Sequence, residues 1–449
     1  MKRFQQTFAL ATLLCTVGSL GFGYGHDVYD SNNFSLNIGG RMQLDGYGEY
    51  VNDAVRDDAR VYLFLREARL LLDGQVDGVK YYTQFGYGAE NVNGSNNGLT
   101  ALDFSFDVPI PVMTSTWLKV GQFKVPYGRE SLTEEGNFQF VDHSIDFEGF
   151  DLGRDYGLAL HKEQGNLMAV GGVFTGGGRD VPLRFLPENL EIPMLVARVG
   201  YNDGLDKDIF TKMSQNDLNP KRLEKAAYVN GMYMKDTGIG HSTVLGVRSS
   251  GSNTDVNEMN FMTDTNWNPF LTKGAPAAVA GHADTPDNLS FGQYWQVGWD
   301  AAARGPLSGG YSWNAEAQAD YARYANGYGR LDLSGGRVQG SLIKLPFEVA
   351  LRGAALIPDA NFANGGVAIT GTRPYYEITP AITYYFKGHD MKIVADAPVL
   401  IDVPVINEYN VGSYVITEQP DQVTYLTAGQ GTIRRQVVPE ARLMFQIAF

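Results

Sequence analysis

From Phe34 to Asp45 the chain alternates without a break. Phe34, Leu36, Ile38, Gly40, Met42 and Leu44 fall on one parity, and Ser35, Asn37, Gly39, Arg41, Gln43 and Asp45 on the other. Successive side chains of a strand point to opposite faces, so this stretch is a strand with one apolar and one polar face. The pattern returns at Val79–Tyr87, Leu102–Val108, Trp295–Arg304 and Ala315–Tyr321, divided by breaks rich in Gly, Asn and Asp. In a soluble sandwich the apolar face meets a second sheet; in a membrane barrel it meets lipid and the polar face meets a wet lumen. Alternation does not separate the two, but length does. Many segments reach about 9–13 residues, the span of a tilted membrane strand and about twice the soluble mean.

The same texture runs through nearly all 449 residues with no domain seam. Beyond the N-terminus no apolar run approaches the ~20 residues of a spanning helix, so strands must do any crossing. The expected fold is all-β, a transmembrane antiparallel β-barrel with tight turns at one end and long external loops at the other. The short breaks include Asp73–Gly78, Pro109–Ser115 and Glu163–Asn166. The long ones include Val125–Arg154, Gly176–Ile192, Ser250–Ser290 and Val399–Arg435. Segments Asn202–Ser250 and Tyr324–Leu345 each admit one strand more or fewer, giving roughly 15 to 17. A barrel with both ends on one side needs an even number, so about 16 are expected. Tyr47, Tyr50, Tyr311, Trp313, Tyr384 and Phe386 stand at segment ends, where they would form interfacial girdles.

Both termini carry address signals. Lys2 and Arg3 precede the apolar stretch Phe8–Leu20, which reads as a signal peptide over residues 1–25, cut between about residues 22 and 26 and leaving 26–449 as the barrel. A buried N-terminal helix is the alternative, disfavoured because a strand pattern begins at Phe34 with no cap or linker. The only cysteine, Cys15, lies inside this segment, so the exported chain would hold no thiol, compatible with an oxidising periplasm. At the other end, Leu443, Phe445, Ile447 and Phe449 share one strand face. An aromatic final residue resembles the signal read by the barrel-assembly machinery, for which Phe445, Ile447 and Phe449 are the candidates. The net charge of −14 speaks against nucleic acid as a partner. The carboxylate clusters Asp53/Asp57/Asp58, Glu134/Glu135 and Asp203/Asp206/Asp208 read as solvated loops.

No catalytic constellation is present. His143, His161 and His241 belong to no H-E-x-x-H motif, no G-x-S-x-G occurs, and the adjacent acids Glu134 and Glu135 read as solvated loop, with nothing that assembles a nucleophile with a base. No cofactor, metal or catalytic residue is expected.

Several stretches, in order, resemble the phosphate-selective porin O and P family. They are Gly40–Asp45; Arg66-Glu67-Ala68-Arg69-Leu70 with Gly74, where Glu67 stands at a position often basic; Val120–Glu130; Phe140–Ser144; Arg154–Gly157; Phe347–Arg352; and Tyr384–Lys392. The resemblance covers most of the exported chain. It implies a 16-stranded barrel, a homotrimer in outer-membrane lipid and lipopolysaccharide, loops folded inward to narrow a pore, and passage of small anions such as phosphate.

The pore-lining, anion-binding candidates follow. Alternation places Arg41, Lys80 and Arg304 on the polar face; Arg69, Arg198 and Arg352 join them with a less defined register. Lys119 and Lys124 have opposite parity, so only one faces the lumen unless a bulge intervenes. Arg129 opens and Arg154 closes Gly128–Arg154, the candidate constriction loop, and Lys392 completes the set. Such groups would steer anions and replace part of their hydration. Asp45, Glu49, Glu67, Asp103, Asp107, Glu316, Asp320, Glu348 and Glu377 also fall on lumen faces, where acids and bases would pair across the wall. The acidic balance keeps a general or cation-preferring diffusion porin open as an alternative. From another class comes an adhesion or scaffold barrel with a plugged lumen.

Overall fold

Nineteen strand segments form one sheet that closes on itself. The computed structural model describes residues 26–30, 33–52, 57–88, 99–176, 190–206, 208–210, 213–236, 292–326, 329–364, 367–372, 374–401 and 437–449. The barrel strands in chain order are β1 Phe34–Asn52, β2 Asp57–Val76, β3 Val79–Tyr87, β4 Thr100–Pro109 and β5 Thr116–Lys124. Next come β6 Arg154–Gln164, β7 Leu167–Phe174, β8 Leu190–Asp203, β9 Glu224–Asp236, β10 Gly292–Pro306 and β11 Ser312–Asn326. The series ends with β12 Gly329–Lys344, β13 Phe347–Asn364, β14 Val367–Thr372 continued by Tyr375–Lys387, β15 Met391–Asp396 continued by Val399–Ile401, and β16 Val437–Ala448.

The expected 16 strands are therefore present in a closed antiparallel barrel. Two of them are each interrupted once, and the remaining segment, His26–Asp30, lies end to end with β16 against Ser35–Ile38 of β1. Residues 202–250 contribute the end of β8 and the whole of β9, and residues 324–345 the end of β11 and all of β12. β16 pairs with β1 from Glu440↔Glu49 to Ala448↔Arg41. The Phe449 and Gly40 amides and carbonyls then exchange two bonds of 2.9 Å, so the last residue seals the seam.

Much of the wall shows an inverted pattern, although β7 turns Met168, Val170 and Phe174 inward. Along Tyr375–Lys387 the buried set is Tyr375, Glu377, Thr379, Ala381, Thr383 and Tyr385, while Ile378 and Ile382 on the other face are 52% and 50% exposed. Charged and amide side chains turn inward and aliphatic ones outward, opposite to a soluble core. That arrangement is stable when lipid covers the outside. The expected girdles hold at Tyr311, Tyr384 and Phe386, which are exposed outward. Tyr47 departs from expectation: it is buried inside, its hydroxyl accepting from Arg66 at 3.0 Å. The side chains of Glu49 and Tyr50 lie outside the described residues, as do residues 177–189, 237–291 and 402–436.

Connections depart from the expected short-and-long division. At the end carrying Phe34 and Phe449, most turns are tight, as at Asp77-Gly78 and Gly165-Asn166, but β8 and β9 are joined there by twenty residues, 204–223. At the far end, β11–β12 and β13–β14 are joined with almost no intervening chain. Residues 125–153 fold inward as expected, with a helix α1 Arg129–Leu132, a 3-10 turn Glu135–Asn137 and a helix α2 Ile145–Phe150. Ser144 caps α2, its hydroxyl accepting from the Phe147 amide at 3.4 Å.

Candidate functional site

Every basic side chain expected on the pore wall lies toward the barrel interior, and nearly all are held by an acid or a carbonyl. Along β1–β6, Arg41 pairs with Glu67 and Glu134 and reaches Glu135 at 3.3 Å, while Arg69 pairs with Glu67 and Glu135. Arg154 donates to Asp103 at 2.9 Å and to Gln84 at 3.1 Å. Lys119 reaches Asp107 at 2.7 Å, which also meets the His161 ring at 2.9 Å. Lys80 stays exposed, its ammonium 4.5 Å above the Trp117 ring.

Lys119 and Lys124 both face the interior. Gly121 between them takes φ 129, a backbone region open to glycine. Past it, Lys124 abandons the parity of the strand and donates to the carbonyls of Ser131 and Thr133 at 2.8 and 3.1 Å.

On the opposite wall, Arg129 forks onto Asp206 at 2.9 and 2.7 Å, with Asp300 at 3.5 Å and Glu316 at 3.9 Å. Arg198 pairs with Asp300 and lies 4.0 Å over the Tyr228 ring. Arg304 donates to Glu224 and to the Leu205 carbonyl, both at 2.8 Å. Arg352 holds Glu377 at 2.7 Å and the Asp142 and His143 carbonyls at 2.8 and 2.9 Å. The Lys392 ammonium donates to the Phe138 carbonyl at 2.7 Å. These bonds fasten 125–153 to β13 and β15.

Three further arginines belong to this network, and one of them, Arg66, escapes the alternation pattern. Arg66 meets Asp142 at 2.8 Å. It is the extra residue where pairing slips between Gln43↔Glu67 and Leu44↔Leu65, so Arg66 and Glu67 both point inward. Two adjacent charges inside an apolar-polar strand are the signal for that bulge. Arg337 spans Glu130 at 3.0 Å and Glu316 at 2.9 Å, its parity obscured by Gly335-Gly336. Arg442 forks onto Asp396 at 2.7 and 2.9 Å. The expected lumen acids Asp45, Glu67, Asp103, Glu316, Asp320, Glu348 and Glu377 are all buried inside.

The loop carboxylates correct the sequence expectation. Glu135 and Asp206 are buried, and Glu134 nearly so, because the inward fold brings them to Arg41, Arg69 and Arg129. Burial alone would raise the Glu130 carboxyl, but the Arg337 and Arg352 guanidiniums overcome it and hold it below the usual range. Asp146 goes the other way: burial, then the Asp320 and Glu130 carboxylates, push it well above the usual range. Neither Asp146 oxygen has a hydrogen-bond partner.

A closed 16-stranded barrel with a charged interior and an inward loop defines a channel of the outer-membrane porin class. Residues 36–181 match the family model of phosphate-selective porin O and P, so the resemblance read from the sequence is borne out there. Family and fold point to a channel of the bacterial outer membrane rather than to an enzyme. Among solved structures, in-vitro folded OmpT of Vibrio cholerae aligns with TM-score 0.50 at 8% identity, covering 94% of this chain and all (100%) of that one. An anion-selective porin from Comamonas acidovorans aligns with TM-score 0.49 at 10% identity, over 92% and 100% of the two chains. The outer-membrane channel DcaP of Acinetobacter baumannii gives 0.48 at 11% identity, over 95% and 100%. No curated protein sequence matches the chain.

Proposed function

We propose that this porin serves passive diffusion of small hydrophilic solutes and favours anions, phosphate among them. One observation carries the reading: the basic row Arg41, Arg69, Lys80, Lys119, Lys124 and Arg154 concentrates on the β1–β6 wall, inside the stretch that matches the phosphate-selective family. Guanidinium and ammonium groups spaced along one wall offer successive weak sites, which suits conduction better than one tight site. With this reading go a homotrimeric assembly in lipid and lipopolysaccharide, export by a signal peptide over residues 1–25, and recognition of Phe445, Ile447 and Phe449 by the barrel-assembly machinery.

The test is the reversal potential of the purified barrel in planar bilayers under a KCl gradient. An anion-selective sign supports the proposal. For phosphate, millimolar inorganic phosphate should reduce chloride current; unaltered current removes phosphate from the reading. A cation-preferring passage is the second reading, and a specific observation favours it. Among the described residues, seventeen buried carboxylates stand against twelve buried lysines and arginines. A cation-selective reversal potential decides for it.

A further inference from the structure

Residues 204–223 are longer than their connection needs. The strands they join are neighbours, and Asp203 already pairs with Lys225 across β8 and β9. A turn of a few residues closes such a hairpin. Instead its described residues enter the barrel from the end that carries Phe34 and Phe449. Leu205, Ile209, Phe210 and Met213 are buried there.

Its described residues reach from one wall toward the other. Phe210 packs edge-on against Phe123 and His161, with centroids 5.7 and 4.9 Å away. Asn216 donates to Glu348 at 2.8 Å and to the Tyr385 hydroxyl at 2.9 Å, on β13 and β14. In between it meets the loop that descends from the far end. Thr133 and Met213 form a parallel bridge, the Glu134 amide donates to the Met213 carbonyl at 3.2 Å, and the Gln139 amide donates to the Gln215 side chain at 2.8 Å. The forked Arg129–Asp206 pair joins the two segments beside this bridge.

We propose that 204–223 is a second gate, entering from the periplasmic side and latched to the 125–153 loop by the Arg129–Asp206 pair and the Thr133–Met213 bridge. The proposal rests on the porin reading. Among the described residues the segment joins no strand of the wall beyond its own ends, so it can withdraw without breaking the barrel. Among the described residues it is held by the Arg129–Asp206 pair, by polar contacts and by buried apolar side chains that include Leu205, Ile209, Phe210 and Met213. Solute passes when the two segments part.

Cysteines at the bridge test this directly. Thr133→Cys with Met213→Cys should form a disulfide under oxidised glutathione, fixing the segments together. KCl conductance in planar bilayers should then fall at least about tenfold and return with dithiothreitol, while either single-cysteine variant should show no such dithiothreitol-dependent change. If the oxidised protein, shown to be cross-linked on a gel, conducts like the reduced one, the gate is refuted. Gln139→Cys with Gln215→Cys offers an independent lock should the first pair impair folding. Asp206→Asn should act in the opposite direction and raise the time spent open; an unchanged open time counts against the latch. A parent protein with no conductance overturns the porin reading, and the gate falls with it.

Discussion

Replacing Arg129 should cost far more than replacing its partner Asp206, and the asymmetry follows from the charge count around one guanidinium. Arg129 is fully buried and faces Asp206 at 2.7 Å, Asp300 at 3.5 Å and Glu316 at 3.9 Å. Arg129→Met strips Asp206 of its salt bridge and takes the guanidinium from beside the other two acids. Breaking a buried pair from one side costs about 3–5 kcal/mol. Asp206→Asn keeps the shape, leaves the Tyr228 hydroxyl a neighbour at 3.0 Å, and leaves Arg129 with two acids, so roughly 1–3 kcal/mol is expected. Opposite charges about 4 Å apart attract by about 4 kcal/mol at an effective dielectric constant near 20. Part of this is offset by desolvation, so a double-mutant cycle should report a coupling of about 2–4 kcal/mol. The assay is urea unfolding of the barrel in thin-bilayer vesicles, read by tryptophan fluorescence. Equal costs for the two single variants, or additivity within about 0.5 kcal/mol, would refute this account of the latch.

Gly121→Ala should abolish the heat-modifiable folded band on a gel, because the new Cβ would lie 2.1 Å from the Phe104 carbonyl oxygen at φ 129. Gly231→Ala, where nothing lies within 4 Å, should fold like the parent; equal behaviour of the two variants contradicts the steric argument. Val229 is 61% exposed on the outer face of β9, so Val229→Arg should destabilise the barrel in lipid by about 2–4 kcal/mol. An unaltered urea midpoint would mean that this face does not meet lipid. Asp146 supplies the pH dependence. Its carboxyl titrates above its unfolded value, so the folded state keeps the proton longer. Stability is full below the ordinary carboxylate range and declines as pH rises from there through the raised value. Asp146→Asn removes that decline, and its urea midpoint should exceed the parent's at pH 9 but not at pH 3.

The barrel wall is legible in the sequence and the contents of the barrel are not, for a physical reason. A wall strand must alternate because one face meets lipid, so Phe34–Asp45 and Trp295–Arg304 declare their orientation residue by residue. The number of strands follows from closure more than from pattern, since Gly335-Gly336 blurs β12. Where a bulge resets parity or a strand ends, prediction loses its hold: Arg66 and Glu67 both turn inward, and Lys124, the last residue of β5, turns its ammonium to the inward loop. Segments inside the lumen meet no lipid and answer to no period. Glu134, Glu135 and Asp206 have the composition of solvated loop and are buried by partners from distant strands. Leu205, Ile209, Phe210 and Met213 hint at burial, but their irregular spacing names no face.

The charges among the contacts of 204–223 bear on whether such a gate can open. An apolar plug would bury its surface for good, since each exposed Å² costs about 25 cal/mol, and a dry constriction resists wetting. Ion pairs differ: desolvating the partners nearly cancels their attraction, so a buried pair is close to neutral against two hydrated ions. Asp206 can therefore exchange Arg129 for water at little cost, as can Asn216 its bonds to Glu348 and Tyr385. The apolar contribution holding 204–223 includes Leu205, Ile209, Phe210 and Met213. Burial of each of those side chains favours the closed arrangement by roughly 1.5–3 kcal/mol, so the latched state is the resting one and loss of a latch contact shifts the balance toward the parted state. The acid excess among the buried groups adds repulsion that each latch cation must offset, so loss of the Arg129 charge should release the segment as well as destabilise the barrel. A channel that became less stable but no more open in Arg129→Met would separate the two effects and break this link.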